Sequence, residues 1–277
     1  MPPRLRRSCL VVPGSSERML AKALELRADE VVLDLEDGVA RADKEAAREQ
    51  VVRALAAGGF GATVAVRING AGTPWHADDV AAVAGARPDC VVVPKVDGPD
   101  SLEAIRLPSA IGIEAQIETA AGLVNVERTA AHPRLEALVF GPGDFGASLG
   151  VPVVTVGGSD PDYPGDQWHY PLARIVVAAR AFGLQAVDGP FAGLEELEGF
   201  RASARRARLL GYDGKWVIHP AQIAPCNELF TPPPEQVERA ERIMEAVTGA
   251  ARLDGEMVDE ATRKLAEAIL LRARATR

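Results

Sequence analysis

Two carboxylates, Glu118 and Asp144, stand at the ends of two consecutive apolar runs of the chain. A hard divalent cation such as magnesium takes oxygen ligands, one or two of them carboxylates, and keeps several waters that a substrate can displace. Glu118 and Asp144 have the chemistry for such a site. Glu36 and Asp37, which end an earlier run, could hold the waters of that cation from outside. Zinc is not expected, because no His/Cys cluster has ligand spacing. The same residues support a second reading. Arg67 and Lys95 end two further runs, and the acids could pair with them in a buried salt-bridge network. Spacing alone leaves both readings open. Gly141-Pro142-Gly143, directly before Asp144, favours a ligand, since glycine lets the backbone approach a bound molecule closely.

The elements that must position these groups are legible as a pattern. Residues 8–13, 30–37, 62–69, 90–96, 110–118, 137–144, 184–191 and 214–220 form eight short runs rich in Val, Ile and Leu. Near-continuous apolar character is what parallel strands covered on both faces require. Amphipathic stretches such as 17–27, 44–57 and 194–210 lie between them. Strand alternating with helix eight times predicts the α/β class and a (β/α)₈ TIM barrel, whose catalytic groups occupy the C-terminal strand ends. A doubly wound sheet fits less well, because no Gly-rich dinucleotide loop opens the first helix. The strand ends are polar in turn: Asp34, Glu36 and Asp37, then Arg67 and Asn69, Lys95, Glu118, Asp144, Asp188 and His219. These charges are expected to converge on one rim. In the fifth run, Ile111, Ile113 and Ile117 share one face, and Glu114, Gln116 and Glu118 share the other. The polar face should line the barrel, where a carboxylate needs a counter-charge or a metal.

The eight-fold pattern ends near residue 230. We expect a catalytic barrel over residues 1–230 and a C-terminal helical lid or oligomer segment over 231–277. In that segment Pro232-Pro233-Pro234 breaks the chain, and helices over 235–247 and 260–274 are joined by a flexible link at 249–257. A Gly-, Pro- and Asp-rich stretch at 148–167 is too long for an ordinary connection and reads as an active-site loop. The net charge of −8 argues against a nucleic-acid binder. No transmembrane run is present, and the basic start, Met1 to Arg7, lacks the apolar region of a signal peptide. A cytoplasmic protein without membrane contact is expected. Cys9, Cys90 and Cys226 read as buried reduced thiols. His76, His132 and His169 read as surface or capping residues and His219 as a structural hydrogen-bonding group. Arg201, Arg205, Arg206 and Arg208 read as a solvated helix face, and Trp75, Trp168 and Trp216 as packing.

At these residues the sequence resembles the beta subunit of citrate lyase and its relatives in the HpcH/HpaI aldolase family. The stretches that carry the resemblance run in order along nearly the whole chain. They are Arg7 to Gly14 (RSCLVVPG), Leu33 to Val39 (LDLEDGV), Val66 to Asn69 (VRIN), Val93 to Lys95 (VPK), Ile117 to Ala120 (IETA), Gly141 to Phe145 (GPGDF), Ile218 to Ile223 (IHPAQI) and Gly255 to Asp259 (GEMVD). Val187 to Phe191 (VDGPF) and Gly214 to Pro220 (GKWVIHP) look more like malyl-CoA lyases, with β-methylmalyl-CoA and citramalyl-CoA lyases and malyl-CoA thioesterases nearby.

The resemblance implies roles. Glu118 and Asp144 ligate Mg²⁺ (or Mn²⁺), with Glu36 and Asp37 holding metal-bound water. Arg67 binds substrate and steadies negative charge on its oxygen. Pro13, Gly14, Arg18 and Lys95 contact the coenzyme A thioester or its acyl end. Asp259 acts as acid/base from the C-terminal segment, reaching into a neighbouring subunit. The implied reaction is reversible carbon–carbon cleavage of a 3-hydroxyacyl-CoA such as malyl-CoA to acetyl-CoA and a 2-oxo acid, glyoxylate. The implied assembly is a homotrimer or hexamer. A thioesterase and a citrate lyase subunit remain alternatives, and no Gly-x-Ser-x-Gly nucleophile motif is present.

Overall fold

A computed structural model of the chain describes residues 4–152, 155–160, 162–247 and 249–276. Met1, Pro2 and Pro3 of the basic start, Val153, Val154 and Pro161 of the 148–167 stretch, Thr248 and Arg277 lie outside the described residues. The chain divides into two compact units, Met1–Asn227 and Glu228–Arg277, against a sequence-based boundary at 230/231.

The first unit is a (β/α)₈ barrel, as expected. Its strands are β1 (Ser8–Pro13), β2 (Glu30–Asp34), β3 (Thr63–Arg67), β4 (Cys90–Val93), β5 (Gly112–Ile117), β6 (Leu135–Phe140), β7 (Gln185–Asp188) and β8 (Gly214–Val217). They pair in chain order, all parallel, and β8 closes on β1. Several strands stop short of the apolar runs that announce them. β2 ends at Asp34, so Glu36 and Asp37 lie in the following loop. β4 ends at Val93, so Lys95 lies in a turn. The sixth run changes its structure midway. Residues Pro142–Leu149 are a helix, so Asp144 sits in a first helical turn and not at a strand end. Pro142 opens that helix, where a missing N–H is harmless and a fixed φ is already suitable.

Side-chain parity explains what fills the barrel. Cys9, Val32, Ala65, Cys90, Val92, Ala137, Val139, Val187 and Trp216 form an apolar middle. One inward step further, toward either end, the interior becomes charged. At the upper end stand Asp34, Arg67, Gln116 and Glu118; at the lower end stand Glu30 and Glu114.

Arg6, just before β1, plugs the lower end and is only 1% exposed. Its Nε lies 2.8 Å from Glu30 Oε2, and its Nη2 lies 2.8 Å from Glu114 Oε1 and 3.0 Å from Glu136 Oε2. It also donates to Gln185 Oε1 and Cys90 Sγ. Glu114 is therefore neutralised by an arginine, far along its strand from the metal reading of Glu118. In sequence Arg6 belongs to a basic run at the chain start, and nothing local marks it as interior. Burial, followed by the charge of Glu114, raises the Glu30 carboxyl to about 8 although Arg6 opposes the shift. A proton on Glu30 reduces the negative charge enclosed there.

The three cysteines are buried and free. Trp168 packs as expected, edge-on to Phe140. Among the described residues no helix is long and apolar enough to cross a membrane.

The second unit corrects the sequence reading. Between the helices Pro234–Ala246 and Glu260–Ala275 lies a hairpin, not a flexible link: β9 (Ala251–Leu253) pairs antiparallel with β10 (Glu256–Val258). Asp254 and Gly255 have φ of 51° and 86°, the two positive angles that a two-residue type I′ turn demands. The Asp-Gly pair was a legible signal, but three-residue strands are too short to display alternation. Asp259 caps the last helix, accepting from the amides of Ala261 (3.0 Å) and Thr262 (3.1 Å), while its own amide donates to Thr262 Oγ1. It thus has a structural duty that an acid on a flexible segment would lack.

Arg6→Met should lower the unfolding free energy by roughly 3–5 kcal/mol, because two buried glutamates lose their partner. Urea titration would measure it. The stability carried by the Glu30 proton is full below the ordinary value of 4.5 and is lost as pH rises to about 8. Glu30→Gln should flatten that part of the pH dependence, and an unchanged slope would rule this origin out.

Candidate active site

The upper rim is built on neighbouring strand ends. The parallel register sets Asp34 of β2 beside Arg67 of β3. Arg67 Nε and Nη2 donate to the two Asp34 oxygens, each at 2.7 Å. Asp34 also accepts the amides of Glu36 and Gly38, both at 2.8 Å. Burial alone would raise the Asp34 carboxyl, but Arg67 and these amides hold it below its ordinary value. The guanidinium lies over Trp216, 5.2 Å from the ring centroid. Its Nη1 lies 2.9 Å from Glu36 Oε2 outside hydrogen-bonding angles, and that oxygen has no donor.

Glu118 follows β5 directly. Its Oε1 accepts from the Lys95 amide at 2.8 Å and its Oε2 from Gln116 Nε2 at 2.6 Å. A Cβ at Gly141 would collide with Oε2, so the bare backbone of Gly141 is what leaves that oxygen room. Burial, and then the charge of Glu36, raises the Glu118 carboxyl to about 8 although Lys95 opposes it. Lys95 itself has a left-handed backbone, φ 51°. Its Nζ lies 2.5 Å from Glu36 Oε1, 3.6 Å from Asp37 Oδ2 and 3.5 Å from Asp144 Oδ2.

Arg67, Lys95, Glu36, Asp37, Glu118 and Asp144 are thus joined by a continuous set of contacts. The salt-bridge network exists, and it encloses the carboxylates that the metal reading names. Among the described residues no group of three or more His, Cys, Asp or Glu side chains is arranged to hold an ion by itself. A cation here would rest on two carboxylates and complete its shell with water and substrate oxygen, which magnesium accepts.

Other residues have different placements. Gly14 is buried, donates its amide to Asp34 O at 2.8 Å, and packs where a Cβ would lie 2.8 Å from that carbonyl. Pro13 ends β1 half-buried, and Arg18 is exposed on the helix Glu17–Ala23. Asp188 does not join the rim cluster: it pairs with the buried Lys215 Nζ at 2.6 Å. Asn69 is taken up by Asp79 at 2.6 Å, and His219 is exposed, accepting from the Ala221 amide. Arg206 leaves the solvated helix face expected of it and reaches Ser159 and Asp166 of the 148–167 loop. Asp259 lies in the second unit. Sequence reasoning missed the supports: Gln116 as the holder of Glu118, for which inward parity was the available signal, and Trp216 as the platform of Arg67, for which its position near the predicted rim was the only sign.

Residues 7–220 match the HpcH/HpaI aldolase/citrate lyase family. The chain belongs to that family. It is 40% identical, over 98% of its length and 96% of the relative, to an L-malyl-CoA/beta-methylmalyl-CoA lyase of Cereibacter sphaeroides strain ATCC 17025. It is 38% identical, over 91% of its length and 89% of the relative, to a (3S)-malyl-CoA thioesterase of the same species. Among solved structures it is similar to the Mycobacterium tuberculosis protein CitE in complex with magnesium, acetoacetate and coenzyme A. The TM-score is 0.82 and the identity 30%, covering 96% of this chain and 97% of that one.

Arg67→Lys should lower kcat/KM by about 100-fold or more, the usual scale for losing an oriented donor to developing charge. An ammonium cannot fork onto Asp34 and still present donors outward. Near-normal kinetics would reduce Arg67 to a counter-ion of Asp34 and Glu36.

Proposed function

We propose that this protein is a magnesium-dependent carbon–carbon lyase of 3-hydroxyacyl-CoA thioesters, taking a substrate such as malyl-CoA to acetyl-CoA and glyoxylate, or the reverse. The observation that carries the reading is the pairing of Glu118 and Asp144 on one lysine, beside a buried, rigidly forked arginine, in a family of this chemistry. The donor set suits magnesium: every candidate ligand is a carboxylate oxygen, and Glu118, with its carboxyl raised to about 8, lacks sufficient positive charge. Glu118 and Asp144 would hold the ion, and Glu36 and Asp37 its waters. Bound there, magnesium supplies polarisation of the oxygen on the 2-oxo acid half of the substrate.

The chain's own groups do the rest. Arg67, kept in place by Asp34 and Trp216, offers its outward N–H groups to the thioester oxygen as it gains enolate charge. Gly141, with no Cβ, lets the backbone pack directly against the Glu118 side chain and so helps to fix its position. Pro13, Gly14, Arg18 and Lys95 are assigned to the thioester side from the resemblance of their segments. Asp259 is assigned as the acid/base on the same ground. Bonds from Thr262 hold it below its ordinary value, so it stands as a carboxylate, the form that takes a proton from the acyl-CoA in condensation. We place the enzyme in the cytoplasm as a homotrimer or hexamer, with Asp259 of the C-terminal segment completing a site on another subunit.

A second reading, hydrolysis of the malyl-CoA thioester, is supported by the relative of that name. Incubation with malyl-CoA and Mg²⁺, with mass analysis of products, separates the two. Acetyl-CoA and glyoxylate mark a lyase; malate and free coenzyme A mark a thioesterase. Recovery of malyl-CoA unchanged would overturn both.

Chelation should abolish turnover, and Mg²⁺ or Mn²⁺ should restore it. Cation affinity should weaken as pH falls below about 8, because Glu118 must give up a proton to bind. Calorimetry at several pH values would show it, and a flat profile would remove Glu118 from the ligand set. Asp259→Asn keeps an equally good helix cap and should retain thermal stability while losing the chemistry. Mixed and reassembled with Glu118→Gln subunits, it should regain partial activity if the site is shared. Inactive mixtures, with subunit exchange demonstrated, would confine Asp259 to its own chain.

A further inference from the structure

Among the described contacts, Lys95 is the only residue connected to all of Glu36, Asp37, Glu118 and Asp144. Its ammonium lies 2.5 Å from Glu36 Oε1, 3.5 Å from Asp144 Oδ2 and 3.6 Å from Asp37 Oδ2. Its amide donates to Glu118 Oε1 at 2.8 Å. The two reaches come from one unusual backbone. With φ at 51°, Lys95 occupies the left-handed region that a long-chain residue rarely adopts. Strain of that kind persists where the surroundings over-determine it, and it clusters at functional sites. Here the amide is turned onto Glu118, while the side chain lies among Glu36, Asp37 and Asp144. Arg67 does not serve Asp144, because its donors go to Asp34 and its remaining close acid is Glu36.

We propose that Lys95 is the resident counter-ion of the cation site, competing with the divalent cation for Asp144 and Glu36 and moving aside when that cation binds. The inference rests on the reading that Glu118 and Asp144 are the ligands. In the cation-free protein the ammonium keeps mutually repelling carboxylates together. A divalent cation on Glu118 and Asp144 would bring like charge within a few ångströms of the ammonium, and the two cannot hold Asp144 equally. The side chain is 38% exposed, so it has a route out of the cluster. Released, it is a mobile cation at the edge of a metal site, suited to the carboxylate of an incoming acid. Cation binding thereby prepares the substrate contact, and the amide bond to Glu118 stays in place throughout.

The test uses Lys95→Asn and Lys95→Gly in the full-length protein. Both residues accept a left-handed backbone, so the amide bond to Glu118 is retained while the ammonium is removed. Mn²⁺ binding to the substrate-free protein is measured by calorimetry, and thermal unfolding is followed with and without Mn²⁺. Both variants are expected to bind Mn²⁺ about 10-fold more tightly than the wild type, a modest share of the repulsion between charges at this separation. They are also expected to melt at lower temperature without the cation and to gain more from it. A residue that only contacts substrate would leave Mn²⁺ affinity unmoved. Saturable wild-type binding with unchanged or weaker affinity in the variants overturns the role of Lys95 alone. A wild type that binds no Mn²⁺ overturns the cation site, and this inference with it.

Discussion

The fork between Arg67 and Asp34 is the contact on which the rim depends. A guanidinium 7% exposed at the mouth of a closed barrel is tolerable only with its charge met and its donors directed. Asp34 does both, and it is itself fixed by two amides of its own loop and by the buried approach of Gly14 to its carbonyl. One residue therefore ties three segments together: the Asp34 carboxylate holds the loop after β2 and the end of β3, and its backbone carbonyl accepts from Gly14 in the loop after β1. Its consequence for Arg67 is orientation: two donors are spent on Asp34, and the others are aimed by the Trp216 ring beneath.

The opposite end of the barrel solves the same physical problem differently. Arg6 faces Glu30, Glu114 and Glu136, an excess of acid that, with burial, pushes the Glu30 carboxyl up and favours its protonated form. The upper rim has a comparable excess of acid, but its carboxylates are partly open: the Asp37 side chain is 60% exposed and that of Asp144 40%. A closed surplus of negative charge is a stability feature. An open one, short of positive charge, is suited to binding a cation.

The family accommodates lyase and thioesterase names among relatives of nearly equal similarity. The rim accounts for what such chemistries share. A polarised oxygen, an enolate-sized negative charge and an arginine to meet it serve carbon–carbon cleavage directly, and they prepare a thioester for water. The residue proposed for the final proton transfer, Asp259, belongs to the second compact unit and the rim to the first.

Much of this was legible in the linear chain. Eight apolar runs with helical spacers determined the barrel, and period-two alternation assigned Glu114, Gln116 and Glu118 to its interior, because a strand offers only two faces. The motifs around Glu36, Arg67, Glu118 and Asp144 determined the family. Only the tertiary structure decided how the charges were shared. Alternation says that Glu114 and Glu118 point inward but not that two residue pairs along a strand carry them to opposite ends, one to Arg6 and one to Lys95. Asp188 looked like a rim acid until Lys215, 27 residues later in sequence, closed on it. Partners of that kind are brought together by barrel closure, and no local pattern encodes them. The strand ends were also beyond the sequence, because apolar character runs on through Phe140 into a helix that Pro142 begins. The left-handed turn at Lys95 is the clearest case: it is set by what surrounds the residue, and Val-Pro-Lys by itself carries no sign of it.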